Sequence, residues 1–229
     1  MKSKKHILIA FLLLIISCDS LTNENMKVAD EIVRTLEAEQ GELFFMKYIF
    51  EDNKEKEYYI QFKLNKSQGI EKGLADPKLL ASYCASQLFK EIDKKTIERS
   101  FGFEIIINSS IKNETFFFEK KNIKYAWEGL NTQNEYIKLI LENNFEKANE
   151  ILNLEDYPDI DKGISKKIHE RIAGKKIESV HFFSDYTNIK ENDCWFIILA
   201  IKIEDKELLT IKSLVEKSNT DKIIYIEFE

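Results

Sequence analysis

Residues 194–204, CWFIILAIKIE, limit the fold more than any other stretch. Along a strand, alternation sends Trp195, Ile197, Leu199 and Ile201 to one side and Phe196, Ile198 and Ala200 to the other. A strand that is apolar on both faces is covered on both faces. Leaving either side open forgoes roughly 1.5–3 kcal/mol for each large side chain. One cover is a helical layer. The second face is expected to be the functional or inter-domain contact, with the N-terminal half as its cover. Chain breakers are few: 7 Gly and 2 Pro in 229 residues, where average usage gives roughly 16 and 11. No glycine pair has GxG spacing and Gly69 to Gly73 falls one residue short of a P-loop, so phosphate-cradling loops are not supported.

Periodicity divides the chain into two α+β halves. Met26–Glu39 places Val28, Ala29, Ile32, Val33 and Leu36 on one helical stripe, with Gly41 positioned to end it. Leu43–Phe50 and Glu57–Leu64 read as a hairpin. Asp76-Pro77 is a strong helix start, and that helix, running to Asp93, buries Leu80, Tyr83, Cys84, Leu88 and Ile92. Phe101–Asn108 and Glu114–Lys121 form a second hairpin, so residues 26–121 read α-β-β-α-β-β. Residues 122–130 interrupt the pattern and are expected as the junction. In residues 131–229, the helices Thr132–Glu142, Phe145–Leu152 and Ile164–Ala173 precede the strands Ile177–Thr187, Cys194–Glu204, Glu207–Val215 and Lys222–Phe228. Short connections make those strands an antiparallel meander. The expected class is α+β, with helices on antiparallel strands in each half.

YIKLILENNFEKANEIL, a later short helix, GKKIESVHFF and the terminal meander resemble the small NTF2-like (cystatin-like) envelope domains. That family wraps a curved antiparallel sheet around an N-terminal helical hairpin, and the resemblance implies such a sheet in residues 131–229. It selects no function, because the family hosts enzymes, ligand pockets and scaffolds. No family catalytic residue carries over.

The first residues carry an address. Lys2, Lys4 and Lys5 precede an unbroken apolar run from Ile7 to Ile16. That is signal-peptide length, well short of the roughly 20 residues a spanning helix needs. Ile15-Ile16-Ser17-Cys18 then resembles the lipobox of bacterial lipoproteins. The resemblance implies a signal peptide over residues 1–17, cleavage before Cys18, and acyl chains (palmitate among them) on Cys18 as the lipid attachment. Residues 18–25 become a lipidated polar tether. Each buried acyl methylene contributes about 0.8 kcal/mol, so two or three chains hold a domain on a membrane. The inner or outer leaflet stays open.

Removing the three n-region lysines leaves 31 basic and 40 acidic side chains, a net charge of −9. Such a chain is repelled by anionic lipid, so lipid rather than charge must hold it. Nucleic acid is disfavoured as a partner for want of a basic stripe. Only Arg34, Arg99 and Arg171 could form bidentate clamps.

Candidate chemistry is sparse. Cys84 and Cys194 read as separate buried thiols, although an envelope compartment permits a disulfide. His169, His181 and these cysteines share no ligand-pair spacing, and there is no GxSxG elbow. Glu155, Asp156, Asp159 and Asp161 form the densest acidic cluster, without the alternate spacing of a calcium loop. It reads as a solvated turn. Trp127 and Trp195 read as packing. No catalytic, cofactor-binding or metal residue is assigned, and no cofactor is expected. The expected function is a membrane-anchored cell-envelope lipoprotein whose non-catalytic body binds a protein partner or a small apolar ligand. The alternative is a lipid-tethered hydrolase with a site assembled from distant residues. A hydrolase needs a histidine near a nucleophile and an orienting acid; a binding module needs an apolar pocket or an uncovered sheet face.

Overall fold

The ordered fold begins at Thr22, whose Oγ1 accepts the Asn25 amide at 3.2 Å and caps helix α1 (Asn23–Thr35). The computed structural model describes residues 21–49, 56–73, 75–161, 163–175, 177–189, 192–203 and 207–229. The tether expected over residues 18–25 is therefore shorter, since its last three residues are the first turn of α1. Two compact units follow: Met1–Leu74 with Gln87–Lys120, and Ala75–Ser86 with Lys121–Glu229. The fold class is α+β.

In the first unit α1 ends at Leu36, not near Gly41. Glu37 takes a left-handed φ of 47° while Ala38 N donates to Val33 O at 3.0 Å, a Schellman closure built on a non-glycine residue. Gly41 serves a different purpose. A Cβ there would lie 2.5 Å from Val33 Cγ2, so its bare backbone lets α1 approach strand β1 (Gln40–Ile49). Strands β2 (Lys56–Asn65), β3 (Ser100–Asn108) and β4 (Asn113–Glu119) complete a four-stranded sheet in the order β1-β2-β3-β4.

The expectation of antiparallel strands holds within each hairpin and fails between them. β2 and β3 pair parallel, with Phe62 opposite Ile105. The physical reason is the crossover through α2 (Gln68–Glu71), α3 (Pro77–Glu91) and α4 (Lys94–Arg99), which brings the chain back to the same end of the sheet. The inner face buries Leu43, Ile60, Phe62, Leu64, Phe103, Ile105 and Ile107 with Ala29 and Ile32 of α1.

Helix α3 is shared by the two units. Every residue from Leu80 to Ser86 is buried, which a one-sided stripe does not anticipate. Ala81 and Ala85 are small, and Ser82 and Ser86 donate to the Leu79 and Tyr83 carbonyls at 2.7 and 2.9 Å, so their hydroxyls are satisfied inside the helix.

In the second unit the expected junction at residues 122–130 lies within a 22-residue helix, α5 (Lys120–Leu141). Ile123, Ala126, Leu130, Gln133, Ile137 and Ile140 make one continuous buried stripe. Gly129 reads as a breaker, yet it is a contact: a Cβ there would meet Ile197 Cδ1 at 2.8 Å. Asn143, at φ 59°, closes α5, with Asn144 N donating to Leu139 O at 2.8 Å. Helices α6 (Phe145–Ile151) and α7 (Ile164–Ile172) follow. Strands β5 (Ile177–Ile189), β6 (Asn192–Ile203), β7 (Glu207–Glu216) and β8 (Asn219–Phe228) form the antiparallel meander in sequence order.

On β6, Trp195, Ile197, Leu199 and Ile201 are at most 2% exposed. Gln133 of α5 reaches this face, donating to Ser213 Oγ at 2.9 Å. Phe196, Ile198 and Ala200 are only half-buried. The expectation of full cover on both faces is therefore too strong. At Phe196 the cover comes from the same unit, where Phe196 and Tyr157 pack on Cys194, Leu214 and Ile224.

Candidate functional site

The connection from α6 to α7 is fastened to the edge of β8. Asn153 N donates to Ile223 O at 2.8 Å, and Leu152 forms a parallel bridge to Ile223. Asn153 also organises the loop after it, since its Nδ2 donates to Asp156 Oδ2 at 3.1 Å and its carbonyl accepts Tyr157 N at 3.0 Å. On the opposite side, the β7–β8 register shifts between Leu214 and Val215, which pair with Tyr225 and Ile223 and leave Ile224 without an opposite residue. This bulge lets consecutive isoleucines both be buried, Ile223 and Ile224 at 0% and 3% exposure.

A pocket of about 380 Å³ lies between loop and strand, lined by residues 156–161 and 224–226. That volume is within the range of small-molecule sites. Its apolar wall comes from Ile160, Ile224 and Ile226 with the rings of Tyr157 and Tyr225. Both phenols are turned to carboxylates: Tyr157 Oη donates to Glu216 at 2.5 Å and Tyr225 Oη to Glu227. The Glu227 hydrogen bond pushes the Tyr225 phenol above its ordinary pKa.

Asp156, Asp159 and Asp161 form the rim. Asp161 is held by Lys167 Nζ at 2.7 Å and Gly163 N at 2.8 Å. These donors, Lys167 first, keep its carboxyl below the usual range. The acidic cluster read from sequence as a solvated turn is thus the mouth of a pocket. Among the described residues, no three His, Cys, Asp or Glu side chains converge as metal ligands. Nothing matches the chain among family models, curated proteins or solved structures.

The remaining candidates are dispersed. His169 Nδ1 donates to Ile140 O at 2.8 Å while its ring stands edge-on to Phe145, so it ties α7 to the end of α5. Beside it Ser165 donates to Asn149 Oδ1 at 2.7 Å and shares a hydrogen bond with Tyr136 Oη at 2.9 Å, joining the three helices. Burial pushes the Tyr136 phenol up to about 12. Cys84 and Cys194 are buried and neither is in a disulfide. Trp195 is 2% exposed with Lys217 Nζ 4.5 Å from its ring centroid. Trp127 lies within α5. The His181 side chain and Cys18 lie outside the described residues.

A second surface was not anticipated. On the outer face of the first sheet, Tyr59, Phe101 and Phe117 form an aromatic cluster with centroids 5.2–6.5 Å apart. The bulge between Tyr58 and Tyr59 admits Phe101 to it. Phe44, Met46 and Phe117 are 37%, 36% and 45% exposed. The period-two pattern shows these residues on one face, but not which face the helices leave open.

Proposed function

We propose that this chain is a lipid-anchored protein of the bacterial cell envelope whose body binds without catalysis. Cys18 would carry the acyl chains, by its lipobox setting. No helix among the described residues is long and apolar enough to cross a membrane, so any hold on the bilayer by those helices is not a span.

The pocket beside β8 carries the binding half of this reading. Three isoleucines and two tyrosine rings offer apolar contact, and its hydroxyls already serve Glu216 and Glu227. A carboxylate rim repels anions. The ligand class is therefore a small neutral or cationic apolar molecule, or an apolar side chain of a protein partner. Helix α5 against a four-stranded meander supports the NTF2-like reading of the second unit, a fold that often places a ligand between sheet and helices.

Titration with a neutral apolar dye such as Nile red tests the pocket. Tyr225 is 39% exposed, so Tyr225→Ser removes a wall without opening the core. The expected loss is about tenfold in affinity, near 1.4 kcal/mol. Binding unchanged in both Tyr225→Ser and Ile160→Ser overturns the pocket as the site.

A further inference from the structure

We infer that the first unit stands end-on against the bilayer, with the α4 end at the lipid headgroups and the β3–β4 turn pointing away. This rests on the anchor proposed at Cys18. Four peptide units separate Cys18 from the Thr22 cap, at most about 14 Å of fully extended chain. So short a link is comparable to the headgroup layer and well below the length of the sheet.

The orientation follows from where α1 begins. Asn25, 1% exposed, is fixed to Asp93 at the start of α4 by Nδ2 donating to Oδ2 at 2.8 Å. α4 leads directly into Ser100, the first residue of β3, which pairs with Tyr58. The other end of α1 lies at the opposite end of the sheet. There Val33 meets Gly41, Glu39 N donates to Asn65 O at 3.0 Å, and Lys66 N donates to Asn108 O at 2.7 Å. α1 thus runs along β3, whose nine residues span about 26 Å.

The anchor is attached at the α4 end alone. Lys94 and Lys95, both exposed in the first turn of α4, face headgroup phosphates. The turn Ser109–Lys112 is the distal tip, held by Glu71 accepting the Ser110 amide at 2.9 Å, with Ile111 82% exposed. In this pose the exposed aromatic face of the sheet stands across the membrane plane, open to neighbours rather than pressed into lipid.

The experiment uses the full chain, made in a bacterial host, purified with its native N-terminus and reconstituted in phosphatidylethanolamine–phosphatidylglycerol vesicles. Lys95→Cys and Ile111→Cys each receive a fluorophore, and a quencher is attached to lipid headgroups. Mass spectrometry of the N-terminal peptide reports acylation in the same samples. Acylated protein is expected to show several-fold stronger quenching at residue 95 than at 111. A 20-residue Gly/Ser insert after Leu21, with a root-mean-square reach near 25 Å, should abolish the difference. Equal quenching on acylated protein without the insert overturns the orientation and leaves the anchor standing. An unacylated N-terminal peptide overturns both.

Discussion

Asn25 and Asp93, 68 residues apart, hold each other in both directions: Asn25 Nδ2 donates to Asp93 Oδ2 at 2.8 Å, and the Asp93 amide returns a bond to Asn25 Oδ1 at 3.2 Å. Asp93 also caps α4, accepting Thr96 N at 2.9 Å. One pair thus joins the start of the fold to the helix that delivers β3. Asn25→Ala should destabilise the protein by about 1–3 kcal/mol, because buried polar groups lose their partners. Urea denaturation checks this.

The same pair sets a pH dependence. The Asn25 donor, followed by the Thr96 amide and hydroxyl, holds the Asp93 carboxyl below the usual range. A depressed folded value contributes stability that is present above the unfolded value, about 3.9, and is lost as pH falls through the folded one. The urea midpoint should therefore fall as pH drops below about 4, with a shallower fall in Asp93→Asn. Equal slopes in the two proteins would contradict the assignment.

Two glycines make opposite predictions. At Gly102 a Cβ would lie 2.6 Å from the Phe118 carbonyl oxygen, a backbone atom inside a ladder. At Gly129 the nearest atom is Ile197 Cδ1, the free end of a side chain. Gly102→Ala should cost about 1–3 kcal/mol by overpacking. Gly129→Ala should cost less, since Ile197 can turn aside and α5 gains about 0.5–1 kcal/mol of helix propensity. Thermal melts of the two variants decide it; equal losses would refute the distinction.

Gln133 is fully buried between α5 and the meander, and among the described residues its Oε1 has no hydrogen-bond partner. Ser213→Ala removes an acceptor of its Nε2 and should cost about 1–3 kcal/mol. Ser213→Ala with Gln133→Leu removes both partners and should recover most of that loss. A double-mutant cycle measures the recovery, and additive losses would contradict the pairing.

Much of this fold is legible as periodicity. β6 announces itself by alternation, and the residues assigned to its inner side are the deeply buried ones. Pairing between distant elements is not written that way. The parallel β2–β3 contact depends on where the helical crossover returns the chain, and nothing local in either strand encodes it. Helix ends misled for a related reason: Gly41 and Gly129 look like breakers, but each is the point where a helix touches a strand. The pocket escaped because its halves are 63 residues apart, an acidic loop and a register shift. One signal was available: Ile223-Ile224 breaks the alternation of the last strand, as a bulge must.

Everything proposed about where this protein acts depends on Cys18. Metabolic labelling with a clickable fatty acid, in cells expressing either the native chain or Cys18→Ala, measures that dependence directly. The account predicts incorporation into the native protein and its retention in the membrane fraction, with both lost in Cys18→Ala. Label persisting in Cys18→Ala, or absent from the native protein, would contradict it.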